Sequence, residues 1–237
     1  MADDKPKRIM LVSPRGRFNW PRLNAPDYGS KEYPNPDGSY RVDLILDAKA
    51  PETKKFIAAL TPHYDTALEE AKQKFAGLSK ATRTKLKAVT ENPLFTEVFD
   101  KETEEPTGEI MFRFKMAASG ERKKGPKAGT RWERKPTIFD SKGNRMVKVP
   151  DIWSGSEGRI SFEVRPYFIP GTAAAGLSFG LEAVKLLALV SGGERSAEGY
   201  GFGDDDGDGY EYSAEEQADD AMSSDESDSD DGETGDF

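Results

Sequence analysis

Residues 109–116 read Glu-Ile-Met-Phe-Arg-Phe-Lys-Met, a stretch in which apolar and charged side chains alternate. A period of two predicts a β-strand with one buried and one exposed face. The buried face would carry Ile110, Phe112, Phe114 and Met116, and the exposed face would carry Arg113 and Lys115. The chain therefore has a strand whose outer surface is basic.

Similar strand signals occur on both sides of this stretch. They lie at residues 7–12, 40–46, 136–139, 146–149, 159–165 and 177–190. The two segments around 140–144 predict a hairpin, and Pro166 predicts the end of a strand or a place at a sheet edge. Residues 24–38 are rich in Pro, Asn, Asp and Gly, which predicts a turn region.

One segment has the period of a helix instead. Apolar residues recur at three- and four-residue steps through 52–76, which predicts an amphipathic helix. Pro62 predicts a kink or a fresh start with Thr61 as cap, and residues 77–92 predict a basic linker or short helix. Six or seven strands with one main helix favour a mainly β fold over a doubly wound sheet. We expect an OB-fold-like five-stranded barrel with extra strands.

The last 44 residues, 194–237, differ sharply in composition from the rest. They hold 18 Asp and Glu, one basic residue, and no Ile, Leu or Val, so we expect a disordered acidic tail. Residues 1–193, the expected barrel domain, keep 33 basic and 25 acidic residues, a net charge of +8. A basic body with a flexible acidic arm suggests a polyanionic partner and an internal competitor for it.

Composition also argues against several functional classes. The chain has no cysteine and one histidine, His63, which leaves no residues for a disulfide, a thiol nucleophile or a His-based metal site. We expect no enzyme activity, no cofactor and no structural metal. Asp204 to Glu215 fits the EF-hand loop pattern, and whether this acidic stretch binds divalent cations stays open. With no apolar run of membrane length and no signal segment, we expect a cytoplasmic protein.

Cations and aromatic side chains interleave at several points, as they do in proteins that bind single strands by phosphate contacts and base stacking. The alternative is a purely structural role, in which the aromatic residues belong to the core and the cations are solvated. The candidate contact residues are Arg15, Arg17, Phe18, Trp20, Arg22, Tyr28, Tyr33, Arg113, Arg131, Trp132, Arg134, Arg165, Tyr167 and Phe168.

Several short motifs, in order, resemble the single-stranded DNA-binding proteins of T7-like bacteriophages. They are Pro26-Asp27-Tyr28-Gly29, Asn35-Pro36-Asp37-Gly38-Ser39-Tyr40-Arg41-Val42-Asp43-Leu44, Phe112-Arg113-Phe114-Lys115, Asp140-Ser141-Lys142-Gly143, Val164-Arg165-Pro166-Tyr167 and the acidic tail that ends in Asp236-Phe237. The resemblance implies an OB-fold with one packed helix and sequence-tolerant binding of single-stranded DNA in phage replication, recombination and repair.

The resemblance also implies roles for particular residues. The family's DNA contacts fall on Arg83, Lys115 and Tyr167, and its partner-binding tail falls on Asp236 and Phe237. It implies that the tail competes with DNA, contacts the phage DNA polymerase and helicase-primase, and takes part in a homodimer. The expected location is then the cytoplasm of the infected host cell.

Two other functions are compatible with the sequence. One is a protein-interaction adaptor whose acidic tail mimics DNA, and the other is an RNA-binding OB-fold protein. The adaptor would bind its partner whether or not Lys115 and Tyr167 were intact. The RNA-binding alternative is not separable by sequence, because stacking and phosphate contacts serve both nucleic acids.

Overall fold

A computed structural model of the chain describes residues 8–191. The predicted acidic tail with Asp236 and Phe237, the EF-hand-like stretch, and the domain boundary at 193/194 lie outside these residues. The described part is built from eleven strands and two helices, with bounds β1 (Ile9–Val12), β2 (Gly16–Gly29), β3 (Pro34–Asp47), α1 (Pro51–Ala76), α2 (Lys80–Leu86), β4 (Thr90–Glu91), β5 (Thr96–Phe99), β6 (Pro106–Ala117), β7 (Ser119–Glu121), β8 (Arg131–Glu133), β9 (Thr137–Phe139), β10 (Glu157–Ile169) and β11 (Ala174–Ala188).

Five long strands close into a barrel in the order β2–β3–β6–β11–β10, with β10 returning to β2. The β6–β11 pair is parallel and the other four pairs are antiparallel. The closing pair joins Gly16 to Gly158, where a Cβ on either residue would collide with neighbouring atoms. Glycine is needed there because the strands approach closely. The expected five-stranded barrel with extra strands is confirmed.

Aromatic side chains fill the barrel, as the period-two pattern predicts. Phe112 and Phe114 on β6, Phe162 on β10 and Phe179 on β11 form a cluster with ring centroids 4.9–6.0 Å apart. Tilted and edge-on aromatic pairs add about 0.5–1.5 kcal/mol each to the stabilisation from burial. The cluster therefore fixes which face of β6 points outward, and that face carries Arg113 and Lys115.

Helix α1 packs against β10 and β11 and contributes Phe56, whose ring centroid lies 5.1 Å from that of Phe112. The helix starts with Pro51 in its first turn and continues through Pro62 without a break. The predicted fresh start with Thr61 as cap is therefore wrong. Burial of Leu60 before Pro62 and of Ala67 after it holds both halves of the helix against the core.

Other local predictions also needed correction. In the segment predicted as a turn, residues 24–29 continue β2 and 34–38 open β3. The hairpin turn is 30–33, where the Ser30 N–H donates to the Tyr33 carbonyl at 3.2 Å. The turn-forming residues are absorbed as register shifts between β2 and β3. The 140–144 turn is present and is flanked by a single antiparallel bridge between Phe139 and Arg145. Residues 146–149 form no strand, so the predicted hairpin is reduced to that bridge, and β9 also pairs with β11.

Pro166 lies inside β10, opposite Leu177 of β11. Strand β1 covers the other side of β10 only as far as Val164, so Pro166 stands where β10 is an edge. A missing N–H costs nothing there, and of the two alternatives for Pro166 the edge position is correct. No helix among residues 8–191 is long and apolar enough to cross a membrane.

Candidate nucleic-acid interface

A groove of about 560 Å³ opens where β6 leaves β5 and joins β11. We call it the β6–β11 groove. One wall is the segment 93–96, and residues of β6, β10 and β11 provide most of the rest, together with Arg134 just after β8. Five of the predicted contact residues line it, namely Arg113, Lys115, Arg134, Arg165 and Tyr167.

Lys115 is the least restrained cation of the groove. Its side chain is exposed and makes no ion pair within residues 8–191. Across the sheet it stands opposite Arg41 of β3, which in turn stands opposite Arg22 of β2. We call these three residues the cation row. Like charges directly opposite one another destabilise a sheet, so the row favours a polyanion laid across the strands.

Arg113, by contrast, is firmly held. Its Nε and one terminal nitrogen donate to the two carboxylate oxygens of Asp43, both at 2.9 Å. Asp43 is buried, and this hydrogen bonding, reinforced by the carboxylate charge, raises the pKa of the Arg113 guanidinium. Two-thirds of the Arg113 side chain stays exposed, so the pair presents an oriented guanidinium rather than a mobile one.

Arg165 lies flat on the groove floor over Gly180. A Cβ at position 180 would stand 2.7 Å from both of its terminal nitrogens, so any larger residue there would have to push the guanidinium out of this position. Its Nε donates to Glu163 at 2.8 Å, and one terminal nitrogen is 3.6 Å from the buried Oε1 of Glu182, which has no hydrogen-bond partner in the described residues. Two carboxylates thus compensate Arg165 and position it.

Tyr167 is held by a hydrogen-bond chain. The side-chain amide of Asn92 donates to its phenolic oxygen at 2.6 Å, and the Asn92 carbonyl accepts from Tyr64 of α1 at 2.9 Å. Burial, and secondarily the charge of Glu91, raises the pKa of Tyr64. The ring of Tyr167 is therefore fixed at the groove wall, which is the preorganisation that a stacking residue needs.

Trp132 and Arg134 form a stacked pair beside the groove. The Arg134 guanidinium carbon lies 5.1 Å from the centre of the Trp132 ring, and its Nε donates to the Ala117 carbonyl at 3.0 Å. Behind the indole is Gly120, where a Cβ would collide with the ring. Arg134 also lines a second hollow of about 350 Å³ together with Tyr28 and Arg131.

The remaining predicted residues lie elsewhere. Phe18 is 1% exposed in the barrel core, so its assignment as a stacking residue is corrected: its ring faces the core side chains. Arg17 is bound to Glu109 through two 2.9 Å hydrogen bonds. Arg83 is exposed on α2, and Tyr33 is exposed in the β2–β3 turn. Trp20 is exposed on β2, outside the β6–β11 groove.

Sequence reasoning missed two residues of this surface. Arg41 follows the outward alternation of β3, so the strand pattern contained the signal. Trp153 is exposed in an irregular segment, and no period marks its position. Together the groove, the cation row and the exposed rings offer phosphate contacts and stacking faces on one connected set of strands.

The chain is similar to known proteins in sequence and fold. The family described as single-stranded DNA-binding protein, bacteriophage T7, matches residues 18–189. The single-stranded DNA-binding proteins of Enterobacteria phage T3 and Escherichia phage T7 are each 28% identical, over 173 and 176 residues that cover 72% and 73% of both chains. The crystal structure of gp2.5, a single-stranded DNA-binding protein encoded by bacteriophage T7, is similar with a TM-score of 0.61 and 23% identity. That likeness covers 87% of this chain and 100% of that one.

Proposed function

The chain belongs to the family of the bacteriophage T7 single-stranded DNA-binding protein, and from this we propose that it binds single-stranded DNA without catalysis during phage DNA replication and recombination. Its place of action would be the cytoplasm of the infected host cell. The DNA would cross the outer face of the barrel, with phosphates on the cations and bases against the aromatic rings.

The cation row carries this proposal most directly. Arg22, Arg41 and Lys115 occupy directly opposed positions on three strands, so like charges face one another, and in the described residues only the ion pair of Arg41 with Asp27 offsets their repulsion. An anionic backbone laid across β2, β3 and β6 removes that repulsion and releases counterions. Lys115 and Tyr167 stand on the same groove, so the row leads to a ring that is held ready to stack.

We further propose that the acidic tail competes with DNA for this basic surface. The tail, 194–237, holds 18 acidic residues against a net charge of +8 on residues 1–193, so the attraction between them is strong at low salt. The terminal Asp236 and Phe237 would recruit replication proteins, with the phage DNA polymerase and helicase-primase as the expected partners and a homodimer as the expected assembly.

Titration of the full chain with oligo-dT tests the central proposal. We expect quenching of tryptophan fluorescence and binding that weakens as salt is raised, because phosphate neutralisation releases counterions. Oligo-dT binding that is absent at low salt, in both fluorescence and gel shift, would reject the function and favour the adaptor alternative. A duplex of the same length serves as the comparison ligand.

The recruitment proposal needs a separate experiment. Phe237→Ala should lose binding to the phage DNA polymerase and helicase-primase, whereas Phe237→Trp keeps an aromatic terminus and should retain it. Surface plasmon resonance with each immobilised partner measures both variants. Equal binding by the alanine variant and the unchanged protein would contradict the role of Phe237.

A further inference from the structure

Strand β2 contains a bulge at Trp20. Asn19 is opposite Asp43 and Arg22 is opposite Arg41. Between these two pairs β2 therefore has one residue more than β3. Without that extra residue, the inward alternation that buries Phe18 would turn Trp20 inward as well. The bulge instead leaves Trp20 67% exposed and keeps Arg22 on the outer face.

The backbone at this bulge is unusual. Trp20 has a φ of +46°, in the left-handed region where bulky residues are rare and pay a steric cost. The Trp20 N–H donates to the Ser154 hydroxyl at 2.9 Å, and the Gly155 N–H donates to the Phe18 carbonyl at 2.9 Å. The segment that follows Trp153 therefore fixes the bulge and holds the strained conformation in place.

A second tryptophan is brought to the same place. Trp153 is 53% exposed, and with Trp20, Arg22 and Arg41 it lines an open cleft of about 300 Å³ that also includes buried Ile152. We call this the Trp20–Trp153 cleft. Exposure of a large indole surface to water is unfavourable by itself. Two exposed indole rings beside two arginines therefore indicate a binding site.

The chemistry of the cleft selects that occupant. Its rings provide stacking surface, and Arg22 makes no ion pair within the described part of the chain, while Arg41 has only an exposed pairing with Asp27 at 3.4 Å. Arg22 and Arg41 are also two members of the cation row, so the cleft is continuous with Lys115 and the β6–β11 groove. A single strand that follows the row from the groove arrives at the two tryptophans.

We propose that the Trp20–Trp153 cleft is a second base-stacking subsite, which extends the DNA path from the β6–β11 groove across the cation row. The inference rests on the proposed function and deepens it, because it assigns a further contact site for the same single strand. Removal of a stacked ring weakens single-strand binding about 5- to 150-fold.

Substitutions in the full chain test this subsite. Trp153→Ala should bind long oligo-dT more weakly within that range, whereas Trp153→Phe keeps a stacking face and should bind nearly as the unchanged protein does. Phe99→Ala is the matched control, because Phe99 is a comparably exposed aromatic residue on β5, outside the cleft and the groove. Thermal melts followed by circular dichroism report on folding.

Single-tryptophan proteins give an independent reading that does not depend on truncating a ring. Changing Trp20 and Trp132 to Phe leaves Trp153 as the sole reporter, and its fluorescence should be quenched by oligo-dT. If the unchanged protein binds but Trp153 is not quenched and Trp153→Ala binds normally, the subsite is rejected while the proposed function stands. If the unchanged protein does not bind oligo-dT, both are rejected.

Discussion

Lys115 is the least restrained cation of the β6–β11 groove, since it makes no ion pair in the part of the chain that the structure describes. Lys115→Ala should weaken oligo-dT binding and reduce the slope of log K against log salt by about 0.7, the value for one phosphate contact on a single strand. Lys54→Ala, on the exposed surface of α1, is the control and should leave the slope unchanged. Equal slopes for both variants would contradict a phosphate contact at Lys115.

Gly180 matters for the side chain that it lacks, because its bare backbone leaves space for the Arg165 guanidinium on the groove floor. Gly180→Leu should displace the Arg165 guanidinium and fill the groove, so binding should weaken about tenfold or more. Gly171→Leu is the control, because nothing lies within 4 Å of a Cβ at that position. Fluorescence titration measures binding and a thermal melt verifies folding. Unchanged affinity in Gly180→Leu would exclude a DNA path over this floor.

At the scale of elements, Asn92 joins the segment after β4 to α1 and β10. Asn92→Ala should weaken oligo-dT binding about two- to tenfold by releasing Tyr167, a cost typical of one net hydrogen bond. In a Tyr167→Phe background the hydroxyl is already absent, so Asn92→Ala should add nothing. Additive effects in this double-mutant cycle would show that Asn92 acts other than through Tyr167.

The free energy of unfolding should depend on alkaline pH through Tyr64 of α1, which donates a hydrogen bond to the backbone carbonyl of Asn92. The raised pKa of Tyr64 means that the folded protein holds the phenolic proton more tightly than the unfolded chain does. This contribution to stability is complete below the ordinary tyrosine pKa of about 10 and is lost as pH rises through the higher folded value. Tyr64→Phe should therefore lessen the fall of the unfolding free energy above that pH, as measured by urea denaturation. An identical fall in both proteins would contradict the assignment.

Strand alternation was the most informative signal in the sequence. It placed Phe112 and Phe114 inward and Lys115 outward, because side-chain direction along one strand depends only on neighbouring residues. The interleaving of cations and aromatic residues was less reliable, because it assigned buried Phe18 to DNA contact together with exposed Trp20. The bulge that separates these two rings is set by pairing with β3, and the sequence of β2 alone does not contain it.

Arrangements that join distant parts of the chain could not be predicted from the sequence for the same reason. The cation row exists because Arg22, Arg41 and Lys115 share one register across three strands. Trp153 is held near the cleft by a backbone hydrogen bond to the segment just after β11, where its N–H donates to the Val190 carbonyl. Pro62 misled the helix prediction because tertiary packing outweighs one lost backbone bond.

At the scale of the whole molecule, salt would weaken two attractions to the basic residues 1–193, that of DNA and that of the acidic tail. Under the proposed competition, DNA has to displace the tail in the full chain, so we expect its binding to release fewer counterions than in a chain that ends at residue 193. The shortened chain should bind oligo-dT more tightly at low salt and show the steeper salt dependence, and the two affinities should converge as salt rises. Parallel lines in a plot of log K against log salt would contradict competition by the tail.

The way in which the barrel closes also dictates an order of assembly. Ile9 of β1 pairs with Val164, and Arg17 of β2 pairs with Glu157. The partners of these strands on β10 are therefore 155 and 140 residues further along the chain. Contacts of such sequence separation form late and make folding slow. The antiparallel pairs β2–β3 and β3–β6, by contrast, need no residue beyond Ala117. We therefore expect a nascent chain to form the cation row before Arg165 and Tyr167 on β10 complete the groove at barrel closure.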